Sequence, residues 1–330
     1  MSLIDKVVAT TLPLIPKPVV RKVAAPYIAG DKLEDLLRVS AEFNRDGYMV
    51  AAAVLGEFVS KPAEAEEAVH EYVELLDALK ARGIDAYVHV KPTHLGLTID
   101  PELCVRNVRT ILDTALRNGQ FVRMDMEDSP TTDATIAVYH RLHGNYENLG
   151  VVLQARLRRT LDDARELAKV KANIRVCKGI YIEPYDISYT DPDIIRRNFT
   201  AITDVLLSAG CYVGIATHDE KLVWESEQII SRLGLDPTQY EFQMLLGVLP
   251  NLRHIIRARG HRLRVAVPFG PSWYAYSLRR LRKICNNEGV TKAIKRHSYY
   301  EKPSVRQRRR VRERLKTIRL AAKLQSGPME

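Results

Sequence analysis

The sequence predicts an α/β fold, a TIM-type (β/α)8 barrel with extra helices ahead of its first strand. Three observations lead there. Runs rich in apolar and β-branched residues recur at regular intervals and are apolar on both faces, as strands of a parallel sheet are when helices cover it. Stretches with helical spacing and a charged face separate them. Eight such units fit one closed barrel in a chain of 330 residues, and no GxGxxG or phosphate-binding loop follows any run, which argues against an open dinucleotide-binding sheet.

The expected strands are 48–55, 86–90, 121–125, 150–154, 174–177, 211–216, 240–244 and 264–267. Between them the expected helices are 61–82, 101–118, 132–145, 161–171, 191–209, 221–233 and 249–260. Residues 1–46 are expected to form a helical segment packed on the barrel, 47–300 the barrel itself, and 301–330 a basic helix or tail.

Chemistry in such a barrel gathers where the strands end. The chain places a polar residue there repeatedly: Val88-His89-Val90 runs into Lys91, Phe121-Val122-Arg123-Met124 into Asp125, and Val151-Val152-Leu153 into Gln154. Further on, Arg175 lies within the fifth strand just before Lys178-Gly179, Gly214-Ile215-Ala216 runs into Thr217-His218-Asp219, and Glu241-Phe242 into Gln243. Taken singly, Lys91 or Asp125 suits half of a structural ion pair and His218 a rim histidine, while Gln154 and Gln243 suit a polar layer inside the barrel. Arg175 is harder to place structurally, because a buried guanidinium needs an anion or a strong acceptor. Gly179 lets backbone N–H groups approach a phosphate or a ring oxygen. The segment after the eighth strand carries Tyr276, Arg279 and Arg280 at helical spacing, a phenol and two forked cations suited to a small carboxylate. No GxSxG, HExxH or paired glycosidase acids are present, so redox chemistry on a bound cofactor is the class that remains.

The net charge is +10, concentrated in residues 306–319, where seven arginines and one lysine face the single acid Glu313. Such a segment suits acidic lipid headgroups or nucleic acid, or serves only as a solubilising helix. The tail arginines lack interleaved aromatics, so single-strand stacking on nucleic acid is disfavoured, and a non-catalytic nucleic-acid-binding barrel stands as the alternative from another class. Four dispersed cysteines, with no CxxC pair, fit a reduced cytoplasmic compartment better than a disulfide framework or a metal site. Asp5 and the prolines at 13, 16 and 18 interrupt the apolar N-terminus, and no run is long enough to span a bilayer.

Several blocks, in order, carry a resemblance. They are Leu55-Gly56-Glu57, His89-Val90-Lys91 with His94-Leu95-Gly96-Leu97, Phe121 through Glu127, Leu153-Gln154-Ala155, Arg175 through Tyr181, Ala216-Thr217-His218-Asp219, Glu241 through Leu245, and Arg279-Arg280. The chain resembles the monofunctional bacterial proline dehydrogenases, flavin enzymes built on a distorted (β/α)8 barrel. The resemblance implies FAD as cofactor and oxidation of L-proline to 1-pyrroline-5-carboxylate by hydride transfer to flavin N5. A quinone at a membrane surface is the expected electron acceptor, on the ground of the basic segment 306–319, which suits peripheral contact with anionic lipid. The resemblance implies that Lys91, Arg279 and Arg280 bind the substrate carboxylate, and that Tyr181, Leu245 and Tyr276 line the proline ring. Asp125 would sit beside Lys91 to organise the charges, and Arg175 would lie near N5. Flavin contacts would come from Met126, Gln154, Arg175, Lys178, Gly179, Ile180, Thr217, His218 and Gln243. The next catabolic step would need a separate 1-pyrroline-5-carboxylate dehydrogenase. The chain departs from the family pattern at Ala266, where a Tyr is usual, at Ala53 for an Asp, at Lys283 for an acid, and at Ile180 for an Ala. Ala266 opens space for a bulkier or hydroxylated ring, so hydroxyproline or another cyclic imino acid stands as the alternative substrate.

Overall fold

The computed structural model describes residues 17–274 and 276–278, and Lys17–Tyr276 forms one compact unit. Among the described residues two helices come first, α1 (Lys17–Ala24) and α2 (Leu33–Arg45). Then follow β1 (Met49–Val54), α3 (Pro62–Ala81), β2 (Ala86–Val90), α4 (Pro101–Asn118), β3 (Val122–Met124) and α5 (Thr132–His143). The second half runs β4 (Leu149–Gln154), α6 (Thr160–Lys169), β5 (Asn173–Cys177), α7 (Pro192–Ser208), β6 (Val213–Ala216), α8 (Glu220–Leu233), β7 (Tyr240–Leu245), α9 (Pro250–Ala258) and β8 (Leu263–Phe269). The strands pair in chain order and β8 closes on β1, every pair parallel, so the sheet is the expected closed eight-stranded barrel.

The helices start where the sequence supplies acceptors for their free N–H groups. Asp100 accepts from Glu102 N at 3.0 Å and Leu103 N at 3.1 Å ahead of α4, and Asp191 accepts from Asp193 N at 2.8 Å ahead of α7. Pro101 and Pro192 occupy the first helical positions, where no N–H is needed.

The sheet separates two environments by residue parity. Outward residues such as Val50, Val88, Val122, Ile174, Val213 and Val265 are fully buried against the helices. Each contributes roughly 1.5–3 kcal/mol relative to exposure. Inward positions are mixed, not apolar on both faces as expected: Tyr87, His89, Arg123, Gln154, Arg175, Glu241, Gln243 and Arg264 share the interior with small residues such as Ala51 and Ala266. Glycines on the neighbouring strands make room for the long ones. A Cβ at Gly150 would come 2.5 Å from Arg123 Nη1, and one at Gly214 would come 2.5 Å from Gln243 Nε2.

Strand and helix bounds differ from expectation by a few residues, for local reasons. Cys211, expected to open the sixth strand, donates its N–H to Leu206 O at 3.0 Å and so belongs to the exit from α7. The eighth strand runs on through Pro268-Phe269 because the chain ahead of α2 covers it, with Ala29 N donating to Pro268 O at 3.0 Å. Helix α2 packs against β8 and β1, burying Leu36 and Leu37 there, at the seam where the ring closes. The boundary expected at residue 300 lies outside the described residues.

Candidate active site

The polar residues that end the strands gather at the barrel's C-terminal mouth. Lys91 follows β2, Asp125 and Met126 follow β3, and Gln154 ends β4. Lys178 through Tyr181 follow β5, Thr217 and His218 follow β6, and Leu245 ends β7.

Arg175 lies at the centre. Its Nη2 donates to Asp125 Oδ1 at 3.0 Å, and its Nη1 lies 3.1 Å from His89 Nδ1. The Arg175 and Asp125 side chains are 15% and 17% exposed, which makes the pair largely desolvated. Burial pulls the Arg175 guanidinium down, but the Asp125 carboxylate with Cys177 and Tyr87 together outweigh it and the group is held above its ordinary pKa. Burial, then the fields of Arg175, Arg123, Arg264 and Lys91, push His89 well below the usual imidazole range. His89 is therefore neutral and accepts from Arg175. It also stacks on Tyr87, with ring centroids 5.2 Å apart.

Lys91 was expected beside Asp125. The two are neighbours in register just past Val90 and Met124, but the Lys91 ion pair is with Glu57, its Nζ donating to Glu57 Oε2 at 3.1 Å, while Asp125 faces Arg175 and His89. The strand ends explain the exchange: Lys91 leaves β2 toward the β1 exit, which carries Glu57, and Asp125 looks across the interior toward β5. The β1 exit passes close over His94, since any Cβ at Gly56 would overlap the His94 ring. Burial and then Lys91 push the His94 pKa down to about 4, so this ring too is neutral.

A second carboxylate is buried completely. Glu127 accepts from Thr93 N at 2.9 Å and Thr93 Oγ1 at 2.7 Å, and Thr93 Oγ1 in turn accepts from Phe58 N at 3.0 Å. Burial raises the Glu127 pKa to about 7 against the opposing pull of the Thr93 hydrogen bonds. This clamp ties together the loops after β1, β2 and β3. Gln154 joins it, with Nε2 donating to Glu127 O at 2.6 Å.

The remaining candidates divide. Lys178 Nζ and Arg196 Nε both donate to Asp219 Oδ2 at 2.8 Å. Burial would raise Asp219, but those two cations prevail and hold it at about 2. His218 Nε2 accepts from Leu245 N at 2.8 Å, joining the exits of β6 and β7. Thr217 and Met126 are buried, and Arg156 Nη1 donates to Tyr181 O. Burial, then Glu127, Glu57 and Asp125, raises the Tyr181 phenol, so its hydroxyl stays protonated. Gln243 turns away from the mouth, its Nε2 donating to Tyr87 Oη at 2.8 Å and Glu241 Oε1 at 2.6 Å. Ile180 is 71% exposed and Leu245 38% exposed at the rim. Tyr276 is half-buried at the described edge of the chain, and Arg279 and Arg280 lie outside the described residues.

Sequence reasoning missed His89, Glu57, Glu127 and Thr93 as parts of the site. His89 carried a signal, standing two residues before Lys91 on the same strand face. Glu127 stands likewise two residues after Asp125. Glu57 carried a signal only as part of the Leu55-Gly56-Glu57 block, and its pairing with Lys91, 34 residues away, had no local pattern.

Comparison with known proteins gives a consistent result. The family model described as proline dehydrogenase matches residues 36–293, and a shorter match to ribosomal protein S21 covers residues 275–319. A Deinococcus radiodurans protein named proline dehydrogenase is 34% identical over 269 residues, covering 80% of this chain and 87% of its own. Proline dehydrogenase 1 of Bacillus subtilis (strain 168) is 30% identical over 258 residues, 78% of this chain and 85% of that protein. Among solved structures, proline utilization A (PutA) from Bdellovibrio bacteriovorus, inactivated by N-propargylglycine, superposes with a TM-score of 0.73 at 22% identity over 78% of this chain. PutA from Corynebacterium freiburgense superposes with a TM-score of 0.70 over 88%. The chain spans 32% and 33% of those two longer proteins, and the likeness to them is one of fold.

Proposed function

The chain belongs to the proline dehydrogenase family, an oxidoreductase acting on proline, and on that premise we propose that it converts L-proline to 1-pyrroline-5-carboxylate with FAD. The observation that carries this reading is the convergence of Lys91, Asp125 and Arg175 at one end of the barrel, with Arg175 held between Asp125 and neutral His89. When bound, FAD supplies the acceptor for the two electrons that leave a ring C–H bond as hydride while the ring nitrogen gives up its proton.

Two features of the mouth fit that cofactor. Among the described residues Arg175 Nε is buried without a partner, a donor left over in the middle of β5. Gly179 has φ 92°, and a Cβ there would come 2.7 Å from Gln154 Oε1, so the chain passes close over Gln154 where a side chain would intrude. Arg175, Lys178, Gly179, Ile180, Gln154, Met126, Thr217 and His218 would hold the cofactor, with Gln243 supporting from below through Tyr87. Arg175 keeps a fixed positive charge beside the reacting centre, oriented by Asp125 and His89, where it favours accumulating negative charge. Lys91, with Arg279 and Arg280, grips the substrate carboxylate and sets the ring for reaction. Glu57 holds Lys91 in place. Tyr181, Leu245 and Tyr276 flank the ring, and the Tyr181 hydroxyl stays protonated.

Cofactor released by heat from the purified protein should be FAD, and proline should drive reduction of a soluble quinone. Release of no flavin, or no proline-dependent reduction, rejects the reading. We further propose quinone as the natural acceptor, reached by peripheral contact of the basic 306–319 segment with anionic lipid at the inner face of the membrane. Among the described residues no helix is long and apolar enough to cross a membrane. Salt-sensitive sedimentation with anionic liposomes tests the contact, and its absence removes it. The product would pass to a separate 1-pyrroline-5-carboxylate dehydrogenase.

One observation favours a second substrate. Ala266 on β8 is level with Ala51 on β1, and Ala53 is level with Pro268, so the β1–β8 side of the interior carries small side chains, with Leu245 of β7 flanking Ala266. That space suits a ring substituent, as in 4-hydroxyproline. Ala266→Tyr should then shift turnover toward proline; an unchanged ratio of the two substrates removes Ala266 as the determinant.

A further inference from the structure

The barrel has a second polar end. Around the starts of the strands lies a cavity of 260 Å³, at the opposite end of the barrel from the mouth that holds Lys91 and Asp125. Its charged lining is Arg123, Arg262 and Arg264 against Asp85 and Glu241, three cations against two acids.

The charges are unevenly satisfied. Arg264 Nε donates to Glu241 Oε1 at 2.8 Å, and Glu241 Oε2 accepts from Tyr212 Oη at 2.9 Å, so those two charges cancel in a dense network. Arg123 has no such partner. It is 1% exposed, and among the described residues it meets no carboxylate. Its donors reach only neutral acceptors, with Nη1 at 2.8 Å from Asn173 O and Nη2 at 2.6 Å from Asn173 Oδ1, and Nε has no partner. The rings of Phe121 and Tyr87 lie 5.0 Å and 5.6 Å from the guanidinium carbon, which satisfies faces rather than edges.

The field of Glu241 reaches Arg123, but that carboxylate is already paired with Arg264 and Tyr212. A guanidinium buried to this degree without a carboxylate of its own is costly, and an apolar side chain would fill the same place more cheaply. Yet the fold accommodates it, with Gly150 leaving the room that Arg123 Nη1 occupies. The lining carries one cation more than its acids, and the open space adjoins Arg123. We infer that this cavity binds one small monovalent anion, a halide or a small carboxylate such as formate. The volume permits it: 260 Å³ is roughly eight water volumes at about 30 Å³ each, room for a small ion together with its waters. The site is separate from the proposed proline and FAD site and does not rest on that reading.

The test is thermal unfolding of the full chain at constant ionic strength, with sodium gluconate replaced stepwise by sodium chloride or by sodium formate. The expected result is a saturable rise in Tm with at least one of the small anions, about 2 °C or more at ten times the half-saturating concentration. The two salts distinguish a halide site from a carboxylate site. Arg123→Met should abolish the saturable rise and Arg123→Lys should weaken it. A Tm that changes without saturating, or a rise that Arg123→Met leaves intact, overturns the inference. Should Arg123→Met not fold, crystals of the unaltered protein soaked in bromide decide it. An anomalous peak beside Arg123 supports the site, and a cavity holding water alone in both bromide and formate soaks refutes it.

Discussion

Replacing Asp125 with Asn tests the electrostatic frame of the mouth. The substitution keeps size and one acceptor but deletes the carboxylate that faces Arg175 at 3.0 Å. At that distance two unit charges interact by roughly 5 kcal/mol in an effective dielectric of about 20. Part of that attraction only offsets desolvation, and the residual exposure of 15% and 17% screens some of it. Removing one partner of a buried pair costs about 3–5 kcal/mol, and the acceptor that Asn retains should bring the loss to roughly 2–3 kcal/mol. Urea unfolding should therefore show the midpoint displaced with the slope unchanged, and Tm lowered by about 4–10 °C. The double variant with His89→Ala should lose less than the sum of the single changes, because His89 and Asp125 both act on Arg175. A loss below about 0.5 kcal/mol for Asp125→Asn, or strict additivity with His89→Ala, would refute the reasoning: Arg175 would then be held by something other than this pair.

Other perturbations follow from the same geometry. Glu127 is held at about 7 in the fold against 4.5 as its ordinary value, so folding favours its protonated form. Its contribution is fully present below pH 4.5 and is lost as pH rises through 7, roughly 3 kcal/mol in all. Urea midpoints from pH 5 to 8 should fall relative to those of Glu127→Gln, and parallel profiles would contradict the assignment. Gly214→Ala should cost about 1–3 kcal/mol by displacing Gln243 from Tyr87 and Glu241. Gly150→Ala should cost more, since its Cβ would meet backbone Asn173 O at 2.7 Å as well as Arg123; equal thermal shifts for the two would argue otherwise. Glu57→Gln frees Lys91 from its 3.1 Å partner and should alter KM for proline by several-fold with a smaller change in kcat, read by steady-state turnover.

The outline of the fold was readable because each strand must be apolar on its outward face, and Val88, Ile174 or Val213 announces that face without reference to any distant residue. Strand ends were readable for the same reason: Lys91, Asp125 and Gln154 break apolar runs. What those side chains touch was not. The pairing of Lys91 with Glu57 rather than Asp125 depends on where the β1 exit crosses the mouth, and no local pattern encodes that crossing. Gln243 illustrates a different limit. Its inward position followed from parity, but its direction was set by Tyr87 and Glu241 lower in the barrel. The polar floor around Arg123 escaped notice because an arginine in the middle of the short β3 gives no local sign of which end of the barrel its guanidinium reaches.

The most direct measurement is an anaerobic visible spectrum of the purified protein as L-proline is added. A bound flavin band that bleaches in proportion to added proline is the expected result. Protein without a flavin band would contradict the cofactor assignment at its root. A flavin band left untouched by proline but bleached by 4-hydroxyproline would contradict proline as the preferred substrate and turn attention to the small residues around Ala266.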